Sequence, residues 1–222
     1  MITKYKSFWN NSRNLNEELI DFTEASASYI DEIKSYFPTR EEFQFLYRGF
    51  EIPSDKTYIY KRQTNRLPLS TSEEYHNLFD EIFRQIFRWH VRSDGTFAIA
   101  NEYTAKRYGE LMLFFPIGDY RYVFSETVSD LFSRCEYLTD ETYYAIEKTL
   151  KSDEDVMQFV NENPDIWDDA QYSIVEDFIK KHYQDEDLML GLDKGVEIVF
   201  DCDEYYLFPF SMKDTILDII YA

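Results

Sequence analysis

Gln44-Phe45-Leu46-Tyr47-Arg48-Gly49-Phe50 is a short apolar run, rich in aromatics, that ends in an arginine followed at once by glycine. A run of this length and composition predicts a buried strand rather than a helix. An arginine at the end of such a strand reaches from a sheet into a cleft. Its planar fork of donors suits phosphate or carboxylate. Gly49 lets the backbone turn or lets a ligand come close. The plain alternative is an arginine paired with one of the chain's many carboxylates.

Outward from this strand, the chain has 222 residues and a hydrophobic content of 44%, with 19 Tyr and 19 Phe. That is enough for one sizeable core, and it argues against global disorder. Two cysteines, Cys135 and Cys202, cannot build a disulfide framework or a four-thiolate site, and three scattered histidines argue against zinc. No run approaches the ~20 apolar residues of a membrane span. The N-terminal residues lack an apolar signal core, so a cytoplasmic location is expected (in the host cell, if a phage encodes the chain).

The net charge of −20 is unevenly spread. Residues 151–222 hold 19 acidic and 5 basic residues, whereas 44–121 hold 10 acidic and 11 basic. The middle of the chain is its electropositive part. It suits a small anionic ligand better than a nucleic-acid duplex, which this much acid would repel.

Residues 14–36 carry apolar positions at helical spacing, closed by Pro38. Pro53-Ser54-Asp55-Lys56 reads as a turn and 57–60 as a short strand. Tyr75, Leu78, Phe79, Ile82, Phe83, Ile86 and Phe87 mark the clearest helix, with a capping box from Ser70 or Thr71. Asp80, Glu81, Arg84 and Arg88 are placed on its wet face. Strands follow at 96–100 and 110–115, with a helix between them capped by Asn101 and stopped at Gly109. Residues 127–132 suggest a short helix. An acidic helical block then runs over 139–190, with helices opened by Thr139, by Ser152 and by Pro164, the last running to about His182. Val196–Phe200 and Tyr205–Phe210 are expected to pair as a hairpin, before a last helix. These parts make a single α+β domain over 1–222. It comprises an N-terminal helical part (14–37), the first part of the sheet (40–138), the acidic insert (139–190), and a C-terminal hairpin with helix (194–222).

With strands at these places, the chain resembles an ADP-ribosyltransferase-fold protein of the arginine–serine–glutamate kind, in a divergent, phage-like form. Arg48 in Leu46-Tyr47-Arg48-Gly49 matches the family's phosphate-holding arginine. Glu197 in Val196-Glu197-Ile198-Val199-Phe200 matches the catalytic glutamate that opens a late strand. The resemblance covers residues 40–125 and 194–211. It implies a split mixed or antiparallel sheet, NAD as substrate, and Glu197 stabilising the oxocarbenium-like cation as nicotinamide leaves. Arg48, Gly49 and Arg92 would hold the cofactor, and Phe97 would face nicotinamide. The acceptor of ADP-ribose is an unknown macromolecule or water. Ile99 and Ala100 stand where family members carry hydroxyls, Gly195 stands at the first position of the Glu-X-Glu motif, and Ser70-Thr71-Ser72 is better explained as a helix cap. Arg62, Arg66 and His76 lie near these elements in sequence. Two further readings stay open. One is a degenerate binding module on the same fold. The other is an acidic protein that imitates nucleic acid or masks a basic protein partner.

Overall fold

The structure, a computed structural model, describes residues 21–51, 57–66, 71–129, 131–150 and 155–222. The predicted turn at 53–56, the first residues of the 14–36 helix, and the Ser70 and Ser152 caps lie outside the described residues. The described chain is α+β. Seven strands form one open sheet in which every neighbouring pair runs antiparallel. They are β1 (Leu46–Phe50), β2 (Tyr58–Lys61), β3 (Thr96–Ile99), β4 (Glu110–Ile117), β5 (Arg121–Phe124), β6 (Glu197–Asp201) and β7 (Glu204–Pro209). Their order is β2-β7-β4-β1-β3-β6-β5.

This order corrects the expected hairpin. β6 and β7 are joined through Cys202 and Asp203 alone, yet β4, β1 and β3 lie between them. In a flat sheet, four strand spacings would separate them by about 19 Å, whereas three extended residues reach only about 11 Å. The sheet must therefore curl until its two halves meet. Phe114 of β4 and Phe200 of β6 touch with ring centroids 5.2 Å apart, although two strands separate them in the order. Arg62 pairs with both Asp201 and Asp203, tying down the crossing.

The curl has a seam. β1 and β3 share one registered pair, Tyr47↔Ile99, while every other junction has four to six. Past Tyr47 the two strands part, and Arg48 is the next residue.

Helix α1 (Ala27–Tyr36), together with helical residues 21–25, buries Phe22, Tyr29, Ile30 and Ile33 in the larger core with β1, β4 and β7. Helix α2 (Glu73–Phe87) buries Phe79, Ile82, Phe83 and Phe87. Its N-cap is Ser72, whose Oγ accepts from Tyr75 N at 3.3 Å; the capping box was expected to start at Ser70 or Thr71. Two short helices, α3 (Val91–Asp94) and α4 (Glu102–Ala105), flank β3. Asn101 caps α4 as its sequence suggested, through Thr104 N at 3.0 Å.

Helix α5 (Cys135–Glu147) begins four residues before Thr139, and among the described residues of the expected 127–132 helix only Phe132 is helical, in a 3-10 turn at Phe132–Arg134. Thr139 is interior to α5. Its hydroxyl bonds back to Cys135 O and lies 2.5 Å from Tyr75 Oη, which ties α5 to α2. Helices α6 (Val156–Glu162) and α7 (Pro164–His182) follow, the latter with the bounds its sequence predicts. Val175 and Ile179 of α7 share a second core with α2 and with Val123 and Val199 of the sheet. Thus the acidic block is packed onto the sheet through α2. Helices α8 (Leu188–Lys194) and α9 (Lys213–Ile220) complete the described chain. Among the described residues, no helix is long and apolar enough to cross a membrane.

Gly49 is demanded by packing. A Cβ there would lie 2.3 Å from Ala105 O and 2.6 Å from Tyr108 Cβ, both on the helical turn that follows β3. The close approach at Gly49 is thus made by the protein's own chain. Because the obstructing atoms belong largely to the backbone, Gly49→Ala is expected to cost about 1–3 kcal/mol of stability. Urea unfolding would read this as a lowered midpoint at unchanged slope; an unaltered midpoint would mean the turn yields freely.

Candidate functional site

Three arginines from three parts of the chain converge at the seam. Arg48 of β1 donates Nη1 to the carbonyl oxygen of Phe97 on β3 at 2.8 Å, just where the two strands have parted. Its guanidinium also lies 5.7 Å from the centroid of the Tyr205 ring. Arg48 therefore holds a neutral carbonyl and an aromatic face.

Arg66 and Arg92 meet on the ring of Phe97, with guanidinium carbons 4.5 and 5.7 Å from its centroid. Cation–π attraction of this kind holds planar guanidinium groups against an aromatic side chain. Arg66 also donates Nη2 to Arg92 O at 3.1 Å, and its own N–H donates to Ser93 O at 3.0 Å. The Nε groups of both arginines are buried, and among the described residues neither has a hydrogen-bond partner. Burial pushes the Arg66 guanidinium down to about 10, and the like charges of Arg48 and Arg92 add to that shift. It stays cationic at neutral pH.

Glu197 opens β6 opposite Ile99, and Val199 lies opposite Phe97. Alternation puts Phe97, Ile99, Glu197 and Val199 on one face of the sheet. Glu197 is half-buried, and its charge opposes the lowering of Arg66, as does Tyr205. The seam thus gathers three cations, one carboxylate and two aromatic rings, in a chain whose overall charge is −20.

Of the residues singled out by sequence, Arg48, Phe97, Arg92 and Glu197 come together here, and Arg66 joins them. Gly49 is adjacent but faces the 102–108 turn. Arg62 is occupied at the β6–β7 crossing. Ile99 is buried and Ala100 half-buried beside Glu197, without side-chain hydroxyls. Gly195 has φ +67 and terminates α8. A glutamate there would need a left-handed backbone that side chains disfavour.

His76 sits behind the cluster, buried, with Nε2 3.3 Å from Ser93 Oγ. Burial holds its imidazole below the usual value, and the nearby Arg92 and Arg66 add to this against Asp80. A neutral ring next to two guanidinium groups avoids a further like charge.

Sequence reasoning missed Asp80, which was placed on the wet face of α2 with Glu81 and Arg84. The Glu81–Arg84 pair forms at 2.6 Å. Asp80 instead is 5% exposed and turns inward to residues 90–93. The signal was its spacing: His76, Asp80, Phe83 and Phe87 follow each other at helical intervals along the flank of the apolar stripe.

One groove of about 500 Å³ lies elsewhere, between α5 and α7, lined by Leu138, Ile174, Phe178, Arg134, Lys181 and His182 among others. It shares no residue with the seam. Comparison of the chain with protein-family models, with curated proteins and with solved structures finds no match.

Proposed function

We propose that the seam binds the diphosphate of NAD on Arg48, Arg66 and Arg92, and that the protein cleaves the nicotinamide–ribose bond beside Glu197. ADP-ribose would then pass to a macromolecular acceptor or to water. The observation that carries this reading is the convergence of three guanidinium groups, two with buried Nε–H donors that have no hydrogen-bond partner among the described residues, and one of which, Arg66, feels the charge of the strand-opening Glu197. Clustered like charges repel one another, and a multiply charged anion between them reverses the sign of that interaction. The glutamate is of the opposite charge, as a group must be that faces a developing oxocarbenium ion. The sheet that parts between β1 and β3 accords with the split sheet of the ADP-ribosyltransferase fold.

Release of labelled nicotinamide from NAD tests the reading. Wild-type protein is expected to release it, and Arg48→Ala to do so with a KM raised about tenfold or more, the usual scale for losing a charge-assisted pair. An Arg48→Ala variant with unaltered KM would remove the phosphates from this seam.

A second reading, binding without turnover, draws on Ile99, Ala100 and Gly195, which leave the site without hydroxyls on β3 and without a first glutamate. Calorimetric binding of NAD with no nicotinamide release would favour it.

A further inference from the structure

We infer that Asp80 is the positioning residue of the arginine cluster: its buried carboxylate fixes the 90–94 turn and, through it, sets Arg92 and Arg66 together. The functional meaning of this rests on the seam being an anion site, but the positioning does not.

Asp80 lies on α2, and its backbone is anchored by Phe79, Ile82 and Phe83 on either side. One carboxylate oxygen, Oδ1, accepts from Arg92 N at 2.8 Å and Ser93 N at 3.1 Å. The other, Oδ2, accepts from Ser93 Oγ at 2.5 Å and lies 2.9 Å from His90 Nδ1. A carboxylate with four such contacts is satisfied in spite of its burial. All four go to the turn on which Arg92 stands.

The turn in its turn holds the segment that carries Arg66. Ser93 O accepts from Arg66 N at 3.0 Å, Arg92 O accepts from Arg66 Nη2 at 3.1 Å, and Asp94 Oδ1 accepts from Asn65 N at 3.0 Å. Arg66 and Arg92 repel each other and are half-buried. Left to themselves, they would swing apart toward water. Asp80 supplies the fixed point that keeps both guanidinium groups on Phe97, and its negative charge sits behind the cluster.

The test uses full-length protein labelled with ¹⁵N-arginine. The Nε–H signals of Arg66 and Arg92 are assigned by Arg66→Lys and Arg92→Lys. In wild type both should exchange with water about tenfold or more slowly than exposed arginines, since both Nε groups are buried. Asp80→Asn keeps an acceptor oxygen for Arg92 N and Ser93 N and should retain both signals. Asp80→Ala should lose their protection together and weaken pyrophosphate binding by about tenfold or more, while Asp80→Asn stays within about threefold of wild type. A folded Asp80→Ala protein with both signals protected and in place would overturn the inference. If Asp80→Ala does not fold, Ser93→Ala decides: the Arg92 signal must shift, and an unmoved signal overturns it. Failure of the wild type to bind pyrophosphate would reject the anion site alone, and the arginine signals would still judge Asp80.

Discussion

Glu197→Ala is expected to lower nicotinamide release from NAD by about two to three orders of magnitude, the scale on which removal of one preorganised electrostatic group acts. Glu197→Gln should fall nearly as far, because the role assigned to Glu197 needs its charge and not its shape. Binding should persist in both variants, since the phosphates are assigned to Arg48, Arg66 and Arg92. Glu197 is half-buried at the start of β6, where it opens a four-pair ladder with β3. The loss should appear in kcat. Retention of full turnover by either variant would remove Glu197 from the chemistry.

The second large effect concerns the curl that creates the seam. Phe114 has no exposed surface and packs against Phe200 of β6 and Tyr205 of β7, with centroids 5.2 and 5.1 Å away. It is a ring at which the two halves of the sheet meet directly. Phe114→Ala is expected to cost about 3–5 kcal/mol, combining lost transfer energy with a cavity that a curled sheet cannot readily close. Urea denaturation of wild type and variant would measure it. A cost below about 1 kcal/mol would mean that the halves do not depend on this contact.

How far the sequence discloses this molecule differs from element to element. Leu46–Phe50 was legible from its short, aromatic-rich apolar run, and Glu73–Phe87 because one apolar period ran through it without competition. Pro164–His182 was legible at its start because Pro164 can start a helix but not continue one. The expected hairpin failed for a reason of topology. Strands adjacent in sequence usually pair, but Cys202 and Asp203 carry the chain from one half of the curled sheet to the other. No local signal announces that curl. Thr139-Asp140-Glu141 imitates a helix start, yet Thr139 lies inside α5 because its hydroxyl finds Cys135 O and Tyr75.

The site was readable in part. Glu197 stands at the start of β6, whereas Arg48, expected at a strand end, lies in the middle of β1, just past its last pair with β3, and Phe97 and Arg92 lie within the neighbouring strand and turn. Their convergence depends on which strands lie together, and that is a property of the whole sheet. Asp80 was hidden by its own chemistry. A carboxylate on a helix reads as solvated until the turn that it holds is placed against it.

Calorimetric titration of NAD into the wild-type protein, with Arg66→Ala alongside, decides whether the seam holds the phosphates. One saturable site that pyrophosphate competes away, with affinity about tenfold or more weaker in Arg66→Ala, is the result predicted for phosphates held at the seam. No saturable binding, or binding that Arg66→Ala leaves untouched, would contradict it.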